Sequence, residues 1–242
     1  MNFLSKIERL SLLDWRILEY MSKSCGVCKY NHIRKELNVE SSKLNYRLKK
    51  LISAGIVKKI SEGNYEILYK TPFCYIFGSP KDVGKYIYIG LLGLRNDRIE
   101  SEPTTAIKLL DKENIKVTRC YVLATESSIA SWGEDILKKY SIQIVDEEEI
   151  KDIKKIETIA EAIIKKEITE GIVILDCTSL TKPATIAYYR LSGKYLTPLI
   201  YVYESKKEIF WLRNRSSVIN SMIRAIRGRE RNYIINILRK YC

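Results

Sequence analysis

A short run of hydroxyl side chains and one lysine stands directly before a predicted helix start in the second half of the chain. Thr178, Ser179, Thr181 and Lys182 lie just ahead of Pro183, a residue that is favoured in the first turn of a helix. The amino end of a helix offers free amide donors and a positive dipole, and a lysine beside it adds a full charge. This spacing predicts a binding site for an anion such as a phosphate group.

Strands and helices alternate around that run. β-branched or aromatic runs predict strands at about 86–92, 116–125, 141–145, 172–176 and 199–203, with a short edge strand at 208–212. Helical segments lie between them, at about 104–111, 127–140, 147–170 and 183–193. Such alternation is typical of an α/β fold with a Rossmann-like, mainly parallel sheet covered on both faces. In that fold the ligand lies beyond the carboxyl ends of the strands, usually beside the first and fourth strands, where the strand order reverses.

The candidate ligand contacts therefore follow the first, second and fourth predicted strands. The loop after the first strand reads GLRNDRIESEPTT, and the loop after the fourth reads DCTSLTKPAT. The candidates are Gly93, Leu94, Arg95, Asn96, Ser101, Thr104, Thr125, Asp176, Thr178, Ser179, Thr181 and Lys182.

These two loops, in this strand context, resemble those of the CRISPR-associated Rossmann-fold sensor domain, known as CARF, over about residues 86–212. The Gly-Gly pair that is typical of the second loop is replaced here by Ser179-Leu180. The resemblance implies a homodimer that binds a cyclic oligoadenylate, most often the tetramer, across its two-fold axis. Slow cleavage of that ligand is an open alternative. It requires little more than in-line positioning of the ligand and a cation near the phosphate, which Lys182 with Ser101 or Thr104 could provide.

The first 70 residues show a different pattern. Apolar residues at three- and four-residue spacing predict a helix over about 12–24, a short helix that stops near Asn38, and a third helix capped by Ser41 or Ser42. Residues 56–60 and 65–69 then flank a turn at Gly63 and predict a hairpin. Over about residues 10–70 this order resembles the winged helix-turn-helix of archaeal and bacterial transcription regulators.

The resemblance implies that the third helix enters the major groove of double-stranded DNA while the wing reaches phosphates. The candidate DNA contacts are Ser42, Lys43, Asn45, Tyr46, Arg47 and Lys49 on the outer face of that helix, and Lys58 and Lys59 on the wing. The alternatives are that these cations form a solvated face, or that the winged helix mediates protein contacts.

Charge is divided unevenly along the chain, whose net charge is +13. Residues 1–85 carry 16 basic and 8 acidic side chains, residues 86–212 carry 18 and 20, and residues 213–242 carry 8 and 1. Attraction to a polyanion therefore belongs to the two ends. The apolar spacing of the tail predicts two amphipathic helices with a break near Gly228. We expect their apolar sides to pack on the winged helix or across a dimer. Binding of these helices to a membrane surface is the alternative. We expect three segments: 1–80, 86–212 and the basic tail 213–242.

Several enzyme classes are disfavoured. His32 is the only histidine and lies in the winged helix, which excludes a histidine-dependent ribonuclease fused to the sensor. Gly90 and Gly93 have the wrong spacing for a dinucleotide fingerprint, and we expect no cofactor. A metal-dependent nuclease needs clustered carboxylates with a lysine, a set that is only loosely matched by Asp135, Glu149 and Lys151. The acidic residues near Glu149 are better explained as the start of an exposed helix, where negative charge is favourable.

Metal binding and membrane insertion are also disfavoured. Cys25 and Cys28 have His32 nearby but no second pair at matched spacing, so we expect a structural thiol pair or a disulfide and no metal. No apolar stretch approaches the roughly 20 residues that span a bilayer, and the opening residues carry charges where a signal peptide is apolar. We expect a soluble, cytoplasmic protein.

Overall fold

The computed structural model describes residues 3–78, 84–179 and 181–242. The chain divides into two compact units: Met1–Gly84 together with Arg215–Cys242, and Lys85–Asn214. Leu180, within the second predicted ligand loop, lies outside the described residues.

The first unit contains seven helices and three strands among its described residues. Its helices are α1 (Phe3–Ile7), α2 (Leu12–Lys23), α3 (Tyr30–Leu37), α4 (Ser41–Ser53), α5 (Lys70–Phe77), α11 (Arg215–Ala225) and α12 (Arg231–Arg239). Its strands are β1 (Val27–Lys29), β2 (Val57–Ser61) and β3 (Asn64–Ile67), which form one antiparallel sheet in the order β1-β3-β2.

The predicted helix-turn-helix and hairpin are present. Leu44, Leu48 and Leu51 of α4 are buried, and Gly55 adopts the left-handed conformation just after the helix, with φ +63°. The predicted cap at Ser41 or Ser42 is wrong, because Glu40 is the N-cap residue and makes no side-chain cap bond. Strand β1 was not predicted, since its short sequence pairs with β3 nearly forty residues later.

The basic tail packs on the winged helix, which is one of its two expected placements. The Arg227 amide donates to the Glu8 carbonyl (3.0 Å), and Glu230 accepts a hydrogen bond from the amide of Leu12 at the start of α2 (2.7 Å). The Phe77 and Tyr241 rings meet edge to face at 5.1 Å. Most apolar residues of α11 and α12 are buried in this unit, whereas Tyr233 is 65% exposed.

The second unit is an α/β sandwich. Its strands are β4 (Tyr86–Leu91), β5 (Val117–Ala124), β6 (Ser141–Ile144), β7 (Ile172–Asp176), β8 (Leu199–Tyr203) and β9 (Glu208–Arg213). Its helices are α6 (Glu102–Lys112), α7 (Glu126–Trp132), α8 (Ile136–Lys139), α9 (Ile153–Glu167) and α10 (Lys182–Tyr195), with a 3-10 turn at Glu149–Lys151.

The strands form one sheet in the order β6-β5-β4-β7-β8-β9. All neighbours are parallel except the β8–β9 pair. The chain runs outward in one direction from β4 and in the other from β7, so the strand order reverses between these two strands, as predicted. Every residue of β4 and β7 is buried, as expected for central strands covered on both faces.

Two predicted helices of this unit differ from the observed ones. The helix expected at 127–140 is broken into α7 and α8 because Gly133, at φ +82°, cannot continue the first. The helix expected from residue 147 begins as α9 at Ile153, since the Asp152 side chain caps the amides of Lys154 and Lys155. None of the described helices is long and apolar enough to cross a membrane.

Candidate functional sites

The outer face of α4 is the first candidate site. Ser42, Lys43, Asn45, Tyr46 and Lys49 are exposed, whereas the three leucines of the same helix are buried. The Tyr46 ring is 53% exposed and lies 4.9 Å from the ammonium of Lys50. A hydrogen bond from Lys50 lowers the pKa of the Tyr46 hydroxyl. This face therefore presents cations, an amide and an aromatic hydroxyl to solvent, which suits a major groove.

Arg47 differs from its neighbours on α4. Its guanidinium Nη1 lies 3.5 Å from Oδ2 of Asp14, and the Asp14 side chain is only 4% exposed. Asp14 also accepts hydrogen bonds from the amide and hydroxyl of Ser11 in the capping box of α2 (2.8 and 2.7 Å). Arg47 therefore joins α4 to α2 inside the unit, a contact that helical periodicity did not reveal.

The wing presents one of its two predicted lysines in an ion pair. The Lys58 ammonium lies 2.8 Å from Glu66 on the neighbouring strand, and Lys70 pairs with the same carboxylate at 3.0 Å. Lys59 is exposed. Phosphate binding by Lys58 would thus compete with Glu66.

The switch point between β4 and β7 is the second candidate site, and a buried carboxyl group lies at its floor. Asp176, at the end of β7, accepts a hydrogen bond from the Tyr88 hydroxyl of β4 at 2.5 Å. The Thr178 amide donates to the other carboxylate oxygen at 2.8 Å, and the Thr178 hydroxyl bonds to the same atom. The Val202 amide in turn donates to the Thr178 hydroxyl oxygen at 2.8 Å. Asp176 and Thr178 therefore tie three strands together.

Burial raises the pKa of Asp176 to about 6, although the bonds from Thr178 and Tyr88 oppose the rise. Burial likewise raises the pKa of Tyr88 well above its usual value. The loop floor is therefore a low-dielectric environment, in which charge interactions are stronger than in water.

The loop after β4 closes over a second buried carboxyl group, that of Glu102 at the start of α6. Its Oε1 lies 3.0 Å from Arg98, which also pairs with Glu204 at 3.1 Å. Burial raises the pKa of Glu102. The charge of Arg98 and the hydroxyl of Ser179, which lies close to the Glu102 carboxyl group, both oppose this rise. A Cβ at Gly93 would lie 2.5 Å from Glu102 Oε1, so a side chain at this position would require Glu102 to move.

The other loop residues are held by local contacts. The Arg95 amide donates to Ser131 (3.0 Å), and its guanidinium lies over the Trp132 ring at 5.7 Å. The Trp132 indole donates to the Gly93 carbonyl (2.8 Å). Asn96 has a positive φ of 44°, and Leu94 is 48% exposed. A cavity of about 570 Å³ opens beside this loop, lined by Asp97, Arg98, Ile99, Glu100, Thr105, Lys108, Leu109, Lys112, Glu204 and Lys207.

Three hydroxyl groups that the sequence predicts to contact the ligand form hydrogen bonds within the protein. Ser101 and Thr104 bond to each other (2.9 Å) and to the Tyr140 hydroxyl. Thr125 caps α7 by accepting from the amide of Ser128 (3.2 Å). These residues shape the rim of the switch point through the protein's own hydrogen bonds.

The start of α10 carries an exposed charge, that of Lys182. Thr181 is the N-cap residue; its hydroxyl accepts from the Ala184 amide (3.3 Å) and donates to the Ile150 carbonyl (2.9 Å). Lys182 is the first helical residue and is exposed, and no carboxylate within the described ranges forms an ion pair with it. A fixed helix start and a cation without an intramolecular counter-charge together suit a phosphate.

Sequence reasoning missed Tyr88, Arg98 and Glu102. A signal existed for Tyr88, because a tyrosine in a buried strand needs a partner for its hydroxyl. No comparable signal existed for the Arg98–Glu102 pair, because burial of Glu102 depends on how the loop folds back over α6.

Of the two expectations for the cysteines, a structural thiol pair or a disulfide, the disulfide is not formed at Cys28, which is a free, buried thiol. Burial raises the pKa of Cys28 and raises that of Cys74 to about 12. Within the described ranges, no three His, Cys, Asp or Glu side chains form a group that could hold a metal ion.

Residues 10–58 match the family described as winged helix-turn-helix DNA-binding. The matched segment contains α2, α3 and α4 and enters β2, so the amino-terminal part of the chain is a winged helix-turn-helix. No curated protein matches the chain in sequence.

The solved structures that are similar to the chain include two ligand-bound proteins. One is Enterococcus italicus Csm6 bound to cyclic hexa-2'-fluoro-hexa-dAMP, with 12% identity, a TM-score of 0.43, and coverage of 64% of this chain and 54% of that one. The other is Can2 from Sulfobacillus thermosulfidooxidans in complex with cyclic tetra-adenylate, with 14% identity, a TM-score of 0.38, and coverage of 57% and 41%. The similarity thus spans about half of the Csm6 chain and less of Can2.

Proposed function

We propose that this protein is a DNA-binding transcription regulator of a CRISPR defence system, and that its α/β unit senses a cyclic oligoadenylate, with cyclic tetra-adenylate the leading candidate. It acts in the cytoplasm as a homodimer. The ligand binds across the two-fold axis and changes how the winged helices hold double-stranded DNA.

The observation that carries the ligand proposal is the exposed Lys182 at the first position of α10, beside the point where strand order reverses. Phosphate groups gain there from the ammonium, from the helix dipole and from a polar loop. The residue pattern of the two loops, which resembles that of CARF domains, supports a cyclic oligoadenylate as the source of those phosphates.

The competing activity is degradation of the same ligand. In-line cleavage would place Ser101 or Thr104 at the scissile phosphate together with Lys182. Both hydroxyls instead bond with Tyr140, which favours binding over cleavage.

The test is calorimetric titration of the full chain with cyclic tetra-adenylate, with linear tetra-adenylate and inorganic phosphate as control ligands. We expect one cyclic ligand per two chains and weaker binding of both controls. Chromatography of the incubated mixture then measures linear products. Fast turnover refutes a purely regulatory role, and absence of binding refutes the proposed ligand.

A further inference from the structure

The basic tail differs from the rest of the chain in the kind of cation that it carries. Residues 213–242 hold seven of the chain's 15 arginines but only one of its 27 lysines. A guanidinium group can bind a phosphate through two parallel hydrogen bonds, whereas an ammonium group acts as a point charge. The composition of the tail therefore favours a surface that contacts phosphate groups.

Two of these arginines are used inside the first unit. The Arg227 guanidinium donates to the carbonyl of Arg224 at 2.8 Å, and the Arg231 guanidinium donates to the carbonyl of Ile226 at 3.3 Å. The last carbonyls of a helix have no acceptor role within the helix itself, so both bonds satisfy groups at the end of α11. Arg227 and Arg231 therefore hold the end of α11 in place.

Three other arginines at the same corner of the unit have no such partner for their side chains. Arg224, Arg229 and Arg9, which lies in the turn before α2, are exposed, and none pairs with a carboxylate in the part of the chain that the structure describes. The two segments lie together, because the Arg227 amide donates to the Glu8 carbonyl at 3.0 Å. We call Arg9, Arg224 and Arg229 the arginine corner.

The arginine corner is joined to the outer face of α4 through the first turn of α2. Glu230, the one acidic residue of the tail, accepts a hydrogen bond from the Leu12 amide at 2.7 Å. Two residues further on, Asp14 pairs with Arg47 of α4 at 3.5 Å, and the Arg47 guanidinium lies 5.5 Å from the exposed Tyr46 ring. Because one helical turn rises only about 5.4 Å, the corner and the α4 face border the same end of α2.

We propose that the arginine corner binds the phosphate backbone of the DNA duplex whose major groove α4 enters. The major groove is about 12 Å wide and is bordered by phosphates, so cations beside a helix in the groove face the backbone. The inference rests on the proposed DNA binding by the winged helix. It adds a surface outside residues 10–58, the segment that matches the winged helix-turn-helix family.

The surroundings of the corner select DNA over an anionic membrane. An amphipathic helix binds a membrane surface through an apolar side that enters the lipid. In α11 and α12, both of which the structure describes in full, Tyr233 is the only large apolar side chain that is exposed. The corner therefore fits a polyanion that is bound through charge and hydrogen bonds, as the duplex backbone is.

Fluorescence anisotropy of the full chain with a labelled duplex, over a salt series, tests this surface with the R224A/R229A variant. Each lost phosphate contact lowers the slope of log affinity against log salt by about 0.9, so we expect a slope smaller by about two and an affinity roughly 30-fold lower at about 0.15 M salt. The loss should be equal for duplexes of different sequence. R224K/R229K keeps both charges and should retain the slope of the parent.

The matched control is R239A/K240A, which removes the same charge from the other end of α12. Arg239 and Lys240 are exposed as well, but they precede Tyr241, whose hydroxyl donates to Glu19 in the second half of α2 (2.6 Å). This control should keep the slope of the parent. Circular dichroism and thermal melting check folding, and the single variants R224A and R229A, each expected to lower the slope by about 0.9, replace a double variant that does not fold.

The outcomes separate this surface from the winged helix. A folded R224A/R229A variant whose slope equals that of the parent, or of R239A/K240A, refutes the arginine corner. If replacing Lys43 and Lys49 of α4 with alanine still lowers the slope, the winged helix binds DNA without the tail. A parent that binds no duplex refutes both proposals. Binding to phosphatidylserine vesicles that depends on Arg224 and Arg229, with DNA affinity unchanged in the variant, assigns the corner to a membrane and refutes the inference.

Discussion

The outer face of α4 and the loop before α10 both carry polar side chains that the sequence marks as ligand contacts, yet they use them differently. On α4, five of the six predicted contacts are exposed, and only Arg47 pairs inside the unit. At the switch point, Asp176, Thr178 and Thr181 are engaged in hydrogen bonds of the protein itself, and Lys182 is exposed.

This difference teaches that helical periodicity assigns exposure more directly than residue type does in a loop. A helix face is set by the 3.6-residue repeat, so three buried leucines define which side chains remain outside. A loop has no such repeat, and its hydroxyls and carboxylates satisfy nearby backbone groups first. Few polar side chains of such a loop then remain available to contact a ligand.

The largest effect is expected at Lys182. Lys182→Ala should lower the affinity for cyclic tetra-adenylate by roughly two to four decades, because a charge-assisted hydrogen bond contributes about 1.5–3 kcal/mol and a two-fold site loses it twice. Lys182→Arg should fall between alanine and the parent. Calorimetric titration measures all three proteins.

The control for this experiment is Lys154→Ala, an exposed lysine in the first turn of α9. It should bind like the parent. Parent-like affinity in Lys182→Ala would place the ligand site elsewhere in the chain.

The second effect is a pH dependence that comes from Asp176. Its pKa is about 6 in the folded protein, above the ordinary value of 3.8, so between these values the folded state holds a proton that the unfolded state has released. Stability therefore falls as pH rises across this window, by up to about 3 kcal/mol. Urea unfolding at pH 4, 5, 6 and 7 should show this fall in the parent and a smaller one in Asp176→Asn.

Asp135→Asn is the control, because the Asp135 side chain is 93% exposed. Its pH profile should match that of the parent. Equal slopes in the parent and in Asp176→Asn would mean that Asp176 is ionised throughout the window.

Sequence predicted the two central strands, the reversal between them and the helix-turn-helix, because long buried runs and regular apolar spacing are local signals. It did not predict β1, whose pairing with β3 is non-local. It also misassigned polar residues that can either contact a ligand or pair with another residue of the chain. Arg47 has the right helical position for DNA, and Thr178 the right loop, but each has an intramolecular partner that only the folded chain brings near.

The third effect concerns Arg47 and its partner. Arg47→Ala should lower the free energy of unfolding of the winged helix by about 1–3 kcal/mol, because it leaves the buried Asp14 carboxylate without its counter-charge. Lys49→Ala, on the exposed side of the same helix, should change stability by less than about 0.5 kcal/mol. Thermal and urea unfolding measure both, and equal stability of the two variants contradicts an internal role for Arg47.

The smallest effect per residue is expected for the exposed lysines of α4. A lysine that neutralises one phosphate releases about 0.9 counterions, so replacing Lys43 and Lys49 together with alanine should lower the slope of log affinity against log salt by about two. Binding should weaken to every duplex alike, because phosphate contacts carry no sequence information.

Asn45→Ala should instead reduce discrimination between DNA sequences with little change in the slope, since an amide reads base edges. Fluorescence anisotropy over a salt series separates these outcomes, and K154A/K155A on α9 is the matched control for lost charge. If the K43A/K49A slope equals that of this control, Lys43 and Lys49 do not contact phosphates.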